Sequence, residues 1–243
     1  MFLISILVTT ISAFAEGISI PSLKQHIYVY DNQNIIDDTT ESSVNKMLEE
    51  LENKTKSEFF IVTIESLNEM TIESYANQLF NKIGIGKKEE DNGLLLLIYK
   101  DATLEESKVR IEVGDGFQGF ITDSISGRVL DNYFVPYREE DKYSEATKKT
   151  AEVLTTLIAK EYEVSISGVA LSDEEINAVT EEPDYSWILW LIPIIIFGII
   201  LDFKFTGGDI TMIILDCLLS GSGGSSGGRS GGGGHTSGGG ASR

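Results

Sequence analysis

Residues Leu94 to Tyr99 read LLLLIY, six apolar side chains in a row. A strand sends successive side chains to opposite faces, so an unbroken run must bury both of them. Such a strand needs cover above and below, which places it at the centre of a helix-covered sheet. Lys108 to Val113 (KVRIEV) follows after a short polar link and alternates strictly. Val109, Ile111 and Val113 are expected to face the core. Lys108, Arg110 and Glu112 are expected on a wet face. The short link predicts that the two strands form an antiparallel hairpin.

The rest of the body supplies the cover. Tyr28-Val29-Tyr30 starts a short extended segment, and Glu58 to Ile64 (EFFIVTI) has the β-branched and aromatic content of a strand. Between them, Asp38-Thr39-Thr40-Glu41 reads as a capping box with Asp38 as the cap. Val44, Met47, Leu48 and Leu51 follow at helical spacing, and this helix is expected to end near Ser57. Thr71 caps a second helix carrying Ile72, Tyr75, Ala76, Leu79 and Phe80, which runs out at Gly84-Ile85-Gly86. Thr122 and Asp123 open a third, through Ile125, Val129 and Leu130, broken at Val135-Pro136-Tyr137. A last helix is predicted from Lys142 to Ala159. This order predicts an α/β fold, a three-layer-like sandwich with a mixed β-sheet covered by helices.

Outside the body the composition changes sharply. Phe2 to Ala15 is largely apolar and ends in Ala13-Phe14-Ala15, so that residues 1–15 read as a signal peptide cleaved before Glu16. Trp187 to Leu201 holds no charged or amide side chain. Extended to 185–205, it is expected to be a transmembrane helix, with Tyr185, Trp187 and Trp190 as an aromatic belt and Pro193 tolerated within it. Residues 163–184 read as a linker, 206–219 as a short apolar segment and 220–243 as a disordered Gly/Ser-rich tail. The expected address is the cell membrane, single-pass, with the body on the extracytoplasmic side and the tail inside.

The chain carries 38 acidic against 19 basic side chains, a net charge of -19. All but three of each precede Ser186, so the body is strongly acidic. It would be repelled by phosphate backbones, which argues against nucleic acid as a partner. The single cysteine, Cys217, excludes an intrachain disulfide, and with two histidines, His26 and His235, the chain lacks the ligands of a His/Cys zinc site or the makings of a Ser-His-Asp triad.

Gly114 to Gly119 spells GxGxxG, yet Asp115 and Asp123 oppose a pyrophosphate and no acidic-ended strand follows about 20 residues on. The glycines read instead as a tight turn with positive φ. Asp91 and Asn92 sit at the mouth of the central strand. They either form a turn by bonding the backbone or join Asp115 and Asp123 where strand ends meet a helix start. Asp31 joins this set if its loop folds back. Ca2+ or Mg2+ would suit such oxygens. Asp123 has another reading, as a helix cap with Thr122. For phosphate chemistry the nearest basic groups are Arg110 and Arg128.

Tyr30-Asp31, Asp91-Asn92-Gly93 with LLLLIY, KVRIEVGDGFQGFITD (Lys108 to Asp123) and Pro136 near YREED together resemble the TPM domain family, over Tyr28 to Tyr162. The ending GGGGHTSGGGASR is similar to the tails of its YgcG-like members. The resemblance implies an exported, membrane-anchored domain. Some members are linked to assembly or repair of membrane protein complexes, some to divalent cation binding, and some to acid phosphatase activity. It supplies no nucleophile to carry over, and Asp115 stands where members often have an aromatic or aliphatic residue. The expectation is a membrane-anchored extracytoplasmic module that binds a divalent cation and supports membrane protein assembly or maintenance, with a membrane protein complex or other envelope protein as partner. The alternative is a metal-assisted acid phosphatase.

Overall fold

The computed structural model describes residues 24, 26–87, 89–101, 103, 106–169, 171–181, 186–205, 207, 211 and 239–243. The expected signal peptide, and most of 206–238, lie outside the described residues. The chain divides into two compact units, Met1–Thr180 with Ser237–Arg243, and Glu181–Thr236.

The first unit is an α/β fold on a five-stranded mixed sheet in the order β1-β2-β3-β4-β5. The strands are β1 (Val29–Asp31), β2 (Glu58–Ile64), β3 (Gly93–Asp101), β4 (Glu106–Val113) and β5 (Gly239–Ser242). β1, β2 and β3 run parallel, while β4 is antiparallel to both β3 and β5. Leu96 sits at the middle, opposite Ile61 on one side and Ile111 on the other. Leu94 to Ile98 are all 0% exposed. Burying each such side chain stabilises the fold by roughly 1.5–3 kcal/mol, so the unbroken apolar run is the centre of the core, as predicted.

Helices cover both faces. α1 (Asp38–Thr55) and α2 (Ile72–Ile83) follow β1 and β2, and α3 (Asp123–Val129), α4 (Val135–Arg138), α5 (Tyr143–Glu161) and α6 (Asp173–Thr180) follow β4. On one face, Asn77 of α2 reaches Glu112 of β4. On the other, Tyr143 of α5 lies under Lys100, whose side chain shares a face with Leu94, Leu96 and Ile98 by strand alternation. α1 packs against α5.

Several expectations need correction. The cap of α1 is Asp37 rather than Asp38: the Asp37 carboxylate accepts from the Thr40 N–H at 2.8 Å. Pro136 does not break the helical path. A π turn, Leu130–Phe134, carries the chain into α4, whose first turn holds Pro136. The supposed linker 163–184 holds α6, whose Ile176 and Val179 are buried, so the domain reaches Thr180. The wet face of β4 is not wet, since Arg110 and Glu112 are 7% and 2% exposed. The tail is not disordered throughout: β5 completes the sheet, and Ala241 is buried in it.

In the second unit α7 (Ser186–Phe205) is a 20-residue helix with Pro193 inside it. Its described large apolar side chains are exposed, Trp190 at 76% among them. Counting only the described residues, no helix is long and apolar enough to cross a membrane.

Candidate functional site

The sheet has two ends, and the expected ligand residues are divided between them. At the C-terminal end of the parallel strands, Asp31 is occupied with local structure. Its carboxylate accepts from the Thr63 hydroxyl and the Ile36 N–H, each at 2.7 Å, and from the Gln33 N–H at 3.3 Å. These bonds fold the β1–α1 connection back over β2. Nearby, Glu41 has its pKa raised, first by burial and then by the charges of Asp31, Asp38 and Asp37.

Asp91, Asn92 and Asp115 lie at the opposite end, where β3 begins and β4 finishes. Asn92 is 1% exposed. Its Oδ1 accepts from the Lys87 N–H at 3.0 Å, and its Nδ2 donates to Lys56 O at 3.3 Å and to a Glu90 carboxylate oxygen at 2.7 Å. The turn reading therefore holds for Asn92, whose amide ties three segments together. Asp91 adopts φ 45°, and its N–H donates to Lys87 O at 2.7 Å. Its carbonyl accepts from the Gly116 N–H at 3.1 Å.

That last bond explains the GxGxxG spelling. A Cβ on Gly114 would sit 2.2 Å from Asp91 O, and one on Gly116 would sit 2.1 Å from Glu90 O. The glycines permit main chain to lie against main chain; Gly114 has φ -65°, and none of the three has the positive φ expected. Asp115 opens a single 3-10 turn, Asp115–Phe117, and accepts from Gln118 Nε2 at 2.8 Å. Phe117, 0% exposed, plugs that turn into the core. The outcome is two adjoining turns with the Asp91 and Asp115 side chains exposed.

Asp123 belongs elsewhere. Thr122 caps α3, accepting from the Ile125 N–H at 3.3 Å, while the Asp123 carboxylate accepts from the Gly240 N–H of β5. The five expected ligands thus form no single cluster: Asp91, Asn92 and Asp115 are brought together, Asp31 is at the far end and Asp123 is beside the tail strand. Among the described residues no group of three or more His, Cys, Asp or Glu side chains is placed to hold a metal ion.

Two arrangements escaped the sequence reading. Arg110 and Glu112 form a buried ion pair, with Arg110 Nη2 and Nε each 2.7 Å from Glu112 Oε2. Asn77 Nδ2 donates to the other carboxylate oxygen at 3.0 Å. Opposite charges two apart on one strand face were the available signal. The second is the ring of polar groups around β5, formed by Glu73, Asp123, Asp131 and Arg138. Its signal was weak, a single Arg243 closing a run of glycine, serine and alanine.

The family model of the TPM domain matches residues 29–157, more than half of the chain. Among solved structures, the N-terminal domain of a P. gingivalis protein is similar at 22% identity and TM-score 0.51, covering 57% of this chain and 86% of that one. The N-terminal domain of the cg2496 protein of Corynebacterium glutamicum is similar at 14% identity and TM-score 0.42, covering 63% and 91%. The BA42 protein of Bizionia argentinensis is similar at 16% identity and TM-score 0.41, covering 54% and 86%. The first of these likenesses concerns the fold alone. No curated protein sequence matches the chain.

Proposed function

Because the chain belongs to the TPM domain family, we propose that it is a membrane-anchored extracytoplasmic module. In this reading it binds Ca2+ or Mg2+ through Asp91 and Asp115 and supports the assembly or maintenance of a membrane protein complex. The observation that carries the cation reading is the main-chain contact between the turns bearing these two exposed carboxylates. Ca2+ and Mg2+ take oxygen ligands, six or more for Ca2+, so carbonyl and water oxygens complete the shell around two carboxylates. Such a site is weak, with a Kd of about 10⁻⁴–10⁻³ M, as in extracellular modules. Asn92 shapes the turn, and this reading leaves Asp31 and Asp123 outside the cation site.

The anchor in this reading is the apolar sequence within 185–205, where Trp187 to Leu201 holds no charged or amide side chain. The apolar leader in the sequence supports export of the body. This reading puts the tail end on the same side of the membrane as the body, because β5 pairs with β4, and so departs from the tail-inside topology expected from sequence.

The phosphatase alternative gains nothing from the arginines. Arg110 is paired with Glu112, and Arg128 donates to Val179 O and the Ser124 hydroxyl, each at 2.6 Å. An interaction module is the better-supported reading.

Calcium titration of the full chain tests the site. At ten times the Kd, Ca2+ is expected to add about 1.4 kcal/mol to the stability of the first unit. Asp91→Asn and Asp115→Asn should each abolish that gain. Equal stabilisation in wild type and both variants would remove these residues from the site.

A further inference from the structure

The outer edge of β4 is a row of backbone donors and acceptors that pairs with whatever strand is presented to it. Here it is taken by Gly239–Ser242 and Arg243, delivered from the far end of a Gly/Ser-rich sequence. The Val109 N–H donates to Arg243 O at 2.8 Å, and the Arg243 N–H donates back to Val109 O at 2.9 Å. Such main-chain bonds give affinity for any extended peptide; side-chain contacts give selection.

Each position of this strand is tested by its surroundings. A Cβ at Gly240 would sit 2.1 Å from Ile111 O and 3.1 Å from Arg110 Nη2, so glycine alone fits there. The Gly240 N–H is held by Asp123. Ala241 is buried. The Ser242 hydroxyl donates to the Glu73 carboxylate of α2. The Arg243 guanidinium forks onto Asp131, with Nε at 2.5 Å from one oxygen and Nη2 at 3.0 Å from the other. Gly127 leaves that guanidinium its room: a Cβ there would meet Arg243 Nη2 at 3.1 Å. Arg138 Nη1 donates to the Arg243 carbonyl at 3.2 Å.

We propose that the outer edge of β4 is a strand-acceptor site selective for the Gly-Gly-Ala-Ser-Arg sequence, and that the chain's own tail is its releasable ligand, bound in cis. Selectivity comes from the excluded side chain at Gly240 and the Asp131 fork on Arg243. Retention in cis follows from covalent attachment: it makes docking of the tail intramolecular, which favours the resident tail over a free peptide. Release is feasible because so short a strand opens independently of the core. The proposal does not depend on the cation reading.

The test uses the full chain and two variants, Arg243→Glu and Gly240→Val. Amide exchange at Val109 is expected to accelerate at least about tenfold in both, with the thermal midpoint of the body nearly unchanged. A labelled Gly-Gly-Ala-Ser-Arg peptide should bind the Gly240→Val chain, should bind wild type at least about tenfold more weakly, and should lose binding when its arginine is replaced by glutamate. Unchanged Val109 exchange in both variants would overturn the proposal. Equal binding of the glutamate peptide would overturn the selectivity. Concentration-dependent dimerisation of wild type that Arg243→Glu abolishes would put a second copy's tail on the edge and overturn the assignment in cis.

Discussion

β4 pairs with β3 through a register from Leu94–Val113 to Asp101–Glu106, and with β5 over the stretch from Arg110–Ser242 to Val113–Gly239. The inner neighbour is the preceding element in the chain and is almost wholly apolar. The outer neighbour comes from far along the chain and has hardly any side chains. On the inner side stability comes from burial, and losing it would open the core. On the outer side it comes from main-chain bonds and a few charge-assisted contacts, and losing it would bare only an edge. The same strand therefore has one side that is part of the fold and another that behaves like a binding surface.

Substitutions can break that contrast. The largest effect is expected at Glu112, beneath both neighbours. Glu112→Ala leaves Arg110 buried without its counter-charge and should lower unfolding stability by about 3–5 kcal/mol in denaturant melts. A loss near zero would mean that the ion pair is hydrated in solution. Leu96→Ala on the inner side should remove about 2–5 kcal/mol, since a fully buried leucine leaves a cavity. A thermal midpoint matching wild type would contradict its central position. Gly114→Ala would force the end of β4 away from Asp91 and should destabilise by about 1–3 kcal/mol. If Ca2+ affinity survived that shift intact, the two adjoining turns would not be the cation site.

The smallest effect is one of pH. The Ser242 hydroxyl, as the first cause, holds the Glu73 pKa below its ordinary 4.5. A carboxylate lowered in the folded state adds stability that is present above 4.5 and lost as pH falls through the folded value. Docking of β5 should therefore loosen below pH 4.5, seen as faster exchange at Val109 once corrected for intrinsic rates. Exchange that slowed with acid, or a Glu73→Gln chain with the same profile, would detach Glu73 from the tail.

Much of the fold was legible because local pattern and tertiary outcome agree. LLLLIY could only be buried on both faces, and Thr71 and Gly84 bound α2 as their chemistry requires. The capping residue of α1 is Asp37, one position before the Asp38 that the capping box suggests, because the two are equally suited and the choice depends on backbone geometry. The site was less legible. Asp31 and Asp91 look alike in sequence, yet one satisfies backbone donors and the other lies exposed against the 114–116 loop. Arg110 and Glu112 fitted a solvated face until α2 and the tail strand covered them.

The sequence by itself determined the strand and helix periods, the acidity of the body, the apolar run from Trp187 to Leu201 and the family to which the chain belongs. These depend on residues close together along the chain, where side-chain period and propensity act directly. Tertiary structure alone decided that Gly114 and Gly116 serve close packing rather than positive φ, that the acids divide between two sheet ends, and that a glycine-rich tail becomes a strand. Each of those depends on what a distant segment brings to within a few ångströms, and a residue's own neighbours in sequence carry no record of that approach.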